Sequence, residues 1–406
     1  MAYKNLLSLF HQNELEWENM YQTLFHFPLS RHIDIKIKQF NSQAEPNSAF
    51  FYYTENMVLC LEEITKSYAA LVITEKEIPG VAIGQFTRNC LIEEIQSSND
   101  IEGVRSTRRE ISLAIDEQND PKNMKKIRMW SIVNKYDKLL NLNNIAFNTS
   151  DDLRKFYDEF ILDEIRNNDP KDIPDGKIFR AGSVDVDSPT GKAIHRGVYP
   201  EEKIIRYMNT ALAFLHDESI PALIRISAFH YLFGYIHPFY NGNGRTSRFI
   251  TSYYLSKIFD PLVAIRLSLT IKKSLRVYYK LFEETNANGN RGDLTPFISG
   301  FLWLILKSIT RVNDLLLDKK KILKTSAQKL KSIISDDKKY RIYYILLQAA
   351  LFSQEGISLE ELEEVTGLKT RTLRYKISSF PPDHVLVNKS HRAHRYRLNL
   401  GILPKE

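Results

Sequence analysis

The chain has 406 residues, 43% of them apolar and 26% charged, with a formal net charge of +7. That length and composition suit two to four domains with substantial cores and exclude a disordered chain. No window approaches the ~18 apolar residues of a membrane span, and the first ten residues lack the apolar core of a signal peptide, so a cytoplasmic protein with no membrane partner is expected. The two cysteines, Cys60 and Cys90, stand apart from each other and from any histidine cluster. They are expected to be buried free thiols rather than zinc ligands. Residues 368–406 carry nine Lys/Arg against two Asp/Glu, which is the whole formal excess. Such a surface suits DNA or another anion, or is merely solvated.

Residues 5–40 mix apolar and polar groups loosely and read as short helices or irregular packing. Polar residues 41–47, with Pro46, mark a break. Met57, Leu59, Leu61, Ile64, Tyr68 and Leu71 then recur at helical spacing. A further helix is predicted over 88–103, with Leu91, Ile92 and Ile95 on its apolar face and Gly103 placed as a left-handed C-cap. Ser98 and Glu102, four apart, share a face of it. Glu102 therefore sits where the helix dipole disfavours an anion; either it is simply exposed or another element supplies a cation. Thr107 and Glu110 have the spacing of a capping box that opens the next helix.

Residues 130–140 and 151–165 read as amphipathic helices. Proline and glycine then cluster between 167 and 200. Within that stretch 183–186 alternates, 187–191 is a turn signal and 193–195 returns, which reads as a short β-hairpin. It is either an edge to which an extended partner segment adds, or an ordinary long connection. Residues 201–215 are helical. Residues 221–236 are apolar nearly all round and are expected to form a central helix. His237 closes it, and Pro238 cannot continue it.

The sequence from that point is His237-Pro238-Phe239-Tyr240-Asn241-Gly242-Asn243-Gly244-Arg245-Thr246-Ser247-Arg248. Two glycines let backbone N–H groups approach a ligand. The helix that follows presents free N–H groups and the positive end of its dipole, an anion site. Arg245 and Arg248 lie three apart in its first turn, so two guanidiniums join the cradle. His237 is the one group of the loop that accepts a proton near neutral pH. A phosphate cradle beside a base fits attack of a hydroxyl on phosphorus. The spacing is neither that of a Walker loop nor GxGxxG.

Beyond the core, 318–339 is lysine-rich and reads as a helical connector. Residues 340–352 and 358–367 are helical, the latter with a Ser358 N-cap and a Gly367 stop. Residues 369–380 form a basic helix, and 385–387 with 396–398 flank a basic loop. The order is that of a winged helix-turn-helix, which suits DNA through 369–397 or a protein contact.

Residues 237–248 resemble the Fic motif, HPFx(D/E)GNGRxxR. Residues 98–103 resemble the inhibitory motif (S/T)xxxE(G/N) of Fic proteins whose inhibitory helix precedes the core. Phe179-Arg180 is similar to the family's lead-in to its flap, and 276–281 with 292–297 to its distal core. The resemblance implies a mainly α fold: an all-helical Fic core with a β-hairpin flap, plus the C-terminal winged helix-turn-helix. The expected division is 1–130 (N-terminal helical region with the inhibitory helix at 88–103), 131–317 (Fic core), 318–339 (connector) and 340–406 (winged helix). It implies a protein adenylyltransferase moving AMP from ATP, with Mg²⁺, to a Ser, Thr or Tyr hydroxyl of a protein docked at the 183–199 hairpin, self-modification and a homodimer being further expectations. His237 would be the base, and Phe239 the anchor of the loop. Gly242, Asn243, Gly244, Arg245, Thr246, Ser247 and Tyr279 would hold the nucleotide, and Arg248 its γ-phosphate. Ser98 and Glu102 would form the brake, with Glu102 pairing with Arg248. Asn241 departs from the family's Asp or Glu, the usual Mg²⁺ ligand, so a weaker metal site is expected. Removal of AMP at the same site, and a DNA-binding regulator with a weakened Fic domain, remain the alternatives.

Overall fold

The computed structural model describes residues 5–118, 127–187, 193–389 and 393–404. The fold is mainly α-helical, with small sheets whose strands pair antiparallel. Among the described residues, no helix is long and apolar enough to cross a membrane. The chain forms two compact units. One comprises Met1–Thr65, Ser97–Arg105 and Asn134–Ser308; the other comprises Lys66–Gln96, Ser106–Val133 and Ile309–Glu406.

The first unit is built on the helix Ala222–Ile236. Ile224, Leu232, Phe233 and Ile236 are fully buried, each contributing about 2 kcal/mol of apolar burial. The helix packs against Glu201–His216 and Asn243–Leu255. Phe249 of the latter stacks on Phe156, which fixes Ser150–Phe160 beside it. His230, in the middle of the central helix, is a satisfied core histidine held between the Thr251 and Tyr278 hydroxyls.

The reading of 5–40 as helical or irregular is corrected in part. Leu6–Gln12 and Glu14–Phe25 are helices, but Ser30–Ile37 is a strand paired with Asn47–Tyr52. Ile33, Ile35 and Ile37 face the core at the strand period of two. The second strand hides that signal, because Ala49, Phe50, Phe51 and Tyr52 are all buried. The predicted flap is present as Asp185–Asp187 paired with Ala193–Arg196, while turn residues 188–192 lie outside the described residues. Both cysteines are free, but only Cys90 is buried; Cys60 is half-buried.

In the second unit, Thr107 and Ser358 both close capping boxes, onto Arg108–Asp116 and Leu359–Thr366, and Gly367 ends the latter in a left-handed conformation. The stretch read as a connector begins inside one continuous helix, Thr295–Ile333. The strands Ile357–Ser358 and Val385–Asn388 flank Arg395–Leu398 in a three-stranded sheet. One basic residue counted toward a DNA-facing surface is not at the surface. Arg395 is 2% exposed and pairs with Asp116 at 2.8 Å and Glu361 at 3.2 Å. Arg88 shares Asp116 at 2.9 Å, so two arginines hold one carboxylate.

Candidate active site

The loop from His237 to Gly242 links the two most buried helices of the first unit. His237 ends the first of them in a left-handed conformation (φ 53°), its N–H donating to the Phe233 carbonyl. Pro238 follows and closes off further helix. Phe239 is fully buried, stacked on Tyr157 with centroids 3.6 Å apart. Asn243 braces the turn from within: its amide oxygen accepts the Phe239 N–H, and its amide nitrogen donates to the Phe239 carbonyl. Its side chain is thereby committed to the shape of the loop, while its backbone opens the helix that follows. Gly242 has φ 77°, a left-handed conformation that favours glycine, and a Cβ there would also push against the tip of Ile161.

No side chain caps the helix Asn243–Leu255. Its first-turn N–H groups therefore keep their capacity for an anion. What lies there is the carboxylate of Glu102. A Cβ on Gly244 would collide with Glu102 Oε1 and lie 2.7 Å from its Cδ. Glu102 follows the last residue of the helix Gly80–Ile101. Gly103 (φ 70°) and Val104 donate back to the carbonyls of Asp100 and Asn99, which closes the helix as a left-handed cap and fixes Glu102 between them. The unfavourable placement of an anion at a helix C-terminus is offset by Arg248, whose Nη1 is 3.1 Å from Glu102 Oε1. Ser98 takes the rest of that guanidinium, through its hydroxyl at 3.0 Å and its carbonyl at 2.8 Å. Arg248 is only 1% exposed and Glu102 about a quarter. The Glu102 carboxylate holds the guanidinium above its ordinary pKa against the opposing effect of burial. Tyr279 is half-buried and within the field of both charges.

Arg245 is engaged by a second helix of the unit. Its guanidinium is buried and forms a close ion pair with Glu164, on the helix Leu162–Asn168. Arg245 Nε and the Thr246 hydroxyl are buried without a hydrogen-bond partner. Ser247 donates to the Gly244 carbonyl, inside the same turn. The Asn241 backbone carbonyl accepts from the Tyr157 hydroxyl, and its side-chain amide donates to Asp172 Oδ2 at 3.2 Å.

The residue that ties the loop to the flap is Arg180, which is fully buried. It donates to the His237 carbonyl at 3.0 Å, to Val198 at 2.8 Å and to Gly182 at 2.5 Å. Burial lowers its pKa to about 10, still fully charged at neutral pH. Val198 N–H donates to the Ile236 carbonyl, so the flap leads straight to the end of the central helix. The irregular segment before Arg180 is held by Glu201, whose carboxylate accepts the N–H groups of Lys177, Ile178 and Phe179 and is pulled below its usual pKa by them. His195, on the flap, is bonded to the Tyr235 carbonyl. Burial, with the Arg180 guanidinium and the His195 ring as neighbours, pushes the His237 imidazole down to about 3; His195 is itself held below its ordinary value by burial. The imidazole is thus neutral at pH 7 and able to accept a proton.

The structure brings Ser98, Glu102, Gly244 and Arg248 together at the N-terminus of Asn243–Leu255, with His237 and Gly242 on the loop that leads into it. Glu164, Asp172 and Tyr157 were not found by sequence reasoning, because nothing in local spacing marks a carboxylate whose partner lies seventy or eighty residues away. Among the described residues, no group of three or more His, Cys, Asp or Glu side chains is arranged to hold a metal ion by itself.

The Fic/DOC family profile matches residues 135–255. Among solved structures, a Fic family protein from Desulfovibrio desulfuricans G20 is similar in fold, with 19% identity over 88% of this chain and 99% of that one and a TM-score of 0.52. A Fic domain containing signaling protein from Bacteroides thetaiotaomicron VPI-5482 aligns at 16% identity over 64% of this chain and 97% of that one, with a TM-score of 0.47. Fic-1 (residues 134–508) from C. elegans aligns at 20% identity over 63% and 72%, with a TM-score of 0.42. The loop, its buried anchor and the helix that receives it fall in the matched segment, and residues 135–255 of this chain are a Fic/DOC family domain.

Proposed function

We propose that this protein transfers AMP from ATP to a hydroxyl side chain of a protein, and that Glu102 restrains it in cis. The observation that carries the reading is the Glu102 carboxylate at the N-terminus of Asn243–Leu255, paired with Arg248. An acidic side chain at an uncapped helix N-terminus, bonded to a buried arginine, marks a site for an anion larger than itself.

In the reaction, the target hydroxyl oxygen forms a bond to the α-phosphorus, the bond from that phosphorus to the α–β bridging oxygen breaks, and pyrophosphate leaves. His237 takes the hydroxyl proton on its imidazole. Its low pKa in the free protein reflects burial first, with the nearby Arg180 charge adding to it. A bound polyphosphate opposes the Arg180 charge and raises the imidazole's basicity when it is needed. Helix N–H groups and Arg248 stabilise the charge that builds on the phosphates. The flap edge, with Ile194 46% exposed, is available to an extended target segment. Mg²⁺, when bound with ATP, supplies charge neutralisation on the phosphates; the amide oxygen of Asn241 suits it as a hard neutral ligand.

The test is incubation of the wild type, Glu102→Gly and His237→Ala with α-labelled ATP and Mg²⁺. Protein-bound label should rise for Glu102→Gly and vanish for His237→Ala in that background. Release of AMP from modified protein that depends on Glu102 would instead favour the reverse reaction.

A further inference from the structure

The family's motif has a carboxylate where this chain has Asn241, and a neutral amide is a weak partner for a small divalent cation. The structure puts a carboxylate back at that point from another element. Asp172 ends the short turn Pro170–Asp172, and its Oδ2 accepts the Asn241 amide N–H at 3.2 Å. Asn241 itself is fixed from behind by the Tyr157 hydroxyl on its backbone carbonyl. Asp172 is half-buried, so it is neither solvated away from the loop nor sealed in the core. The turn packs on the helix Leu162–Asn168, which also carries Glu164 to Arg245.

We propose that Asp172 is the carboxylate ligand of a divalent cation that accompanies the nucleotide, with the Asn241 amide oxygen as its neutral companion. The proposal rests on the nucleotide-binding reading of the loop. The donor set is chemically apt: Mg²⁺ takes hard oxygens, keeps several waters and commonly uses one or two carboxylates with substrate phosphates. No self-sufficient cluster of acidic groups is needed, and none is arranged among the described residues. The pairing also explains why asparagine is tolerated at 241. With aspartate there, two carboxylates would face each other at hydrogen-bond distance without a cation, and like charges so placed cannot both remain ionised comfortably. Asparagine turns the repulsion into a hydrogen bond while the charge stays beside the loop.

The competing view is that Asp172 only braces the loop. Asp172→Asn separates the two, because asparagine keeps an oxygen to accept the Asn241 amide and loses only the charge. The experiment is calorimetric titration of the full chain, in the Glu102→Gly background, with the analogue α,β-methylene-ATP, whose α–β bridge cannot be cleaved, once with saturating Mn²⁺ and once in EDTA. The parent should bind the analogue at least tenfold more tightly with Mn²⁺. Asp172→Asn should weaken binding tenfold or more with Mn²⁺, yet leave it equal or tighter in EDTA, since a carboxylate facing the phosphates has been neutralised. Asp172→Asn combined with Asn241→Asp should recover the Mn²⁺ effect to within about threefold. Asn241→Asp alone should melt earlier in EDTA and recover with Mn²⁺. Equal losses in both media, or no loss with Mn²⁺, would overturn the proposal while leaving the nucleotide site standing. A parent that binds no analogue in either medium would overturn the nucleotide site and this proposal together.

Discussion

Removing the Glu102 carboxylate should release the site, and the size of the effect follows from the geometry. At 3.1 Å, with an effective dielectric constant of ~20, the attraction between Glu102 and Arg248 is about 5 kcal/mol. Burial of Arg248 opposes it, and the quarter-exposed Glu102 is screened by solvent, leaving a net of about 1.5–3 kcal/mol. Converted at 1.4 kcal/mol per decade, that is roughly a 10- to 100-fold change in the fraction of sites open to nucleotide. Glu102→Gly also clears the space above Gly244. Glu102→Gln removes the charge but keeps the bulk and a neutral hydrogen bond worth about 1 kcal/mol, so it should activate less. The assay is the initial rate of protein labelling from α-labelled ATP, with analogue affinity measured alongside. The expected order is wild type, then Glu102→Gln, then Glu102→Gly, in both readouts. Equal rates and affinities in all three would refute the idea that this carboxylate competes for the anion site.

Other expectations follow from buried groups. In a pH–rate series on the Glu102→Gly variant, kcat/KM should show no acid limb near pH 6.5, because His237 in the free protein is pushed down to about 3; the acid limb of kcat should lie higher, as bound phosphates raise that pKa. A kcat/KM limb at the ordinary histidine value would contradict the burial argument. His230 is likewise held down to about 3 by burial and Arg248. The unfolded chain binds a proton there below about pH 6.5 and the fold does not, so stability is intact above that pH and falls on acidification, by about 2 kcal/mol at pH 5 from this residue alone. Denaturant melts of wild type and His230→Gln at pH 7 and pH 5 should show a smaller pH-dependent loss in the variant. Asp293 is fully buried, with its carboxyl raised to about 7 and one oxygen unpartnered. Its contribution runs the other way, present at low pH and lost as pH rises through 7. Asp293→Asn should therefore gain about 1–3 kcal/mol at pH 8.5 and little at pH 5; a uniform loss would show that the charge is not the cost. Arg180→Met leaves the carbonyls of Gly182, Val198 and His237 without their shared donor. It should lower stability by about 3 kcal/mol and cut labelling far more than analogue affinity, which a calorimetric titration at low temperature would check.

Local chemistry carried much of this structure into the sequence. The all-apolar segment became the central helix Ala222–Ile236, Trp130–Leu140 formed as its periodicity suggests, and the capping boxes of Thr107 and Ser358 closed as spaced. The hairpin Ser30–Ile37 with Asn47–Tyr52 was obscured because its second strand is buried on both faces and shows no alternation. At the site, spacing along one helix or loop exposed Ser98, Glu102, His237 and Arg248. It did not expose Glu164 or Asp172, whose partners come from other elements, and Arg180 stood out only through the family resemblance. Net charge misled in one respect, since Arg395 adds to the basic count yet is buried against Asp116 and Glu361.

The central claim is transfer of AMP, with His237 as the base. It is tested most directly by giving Glu102→Gly, and Glu102→Gly with His237→Ala, ATP labelled in parallel at the α- or the γ-phosphate. Protein-bound label is expected from α-labelled ATP only, resistant to denaturation and absent from the double variant. Label from the γ-phosphate, or α-label that survives the loss of His237, would contradict it.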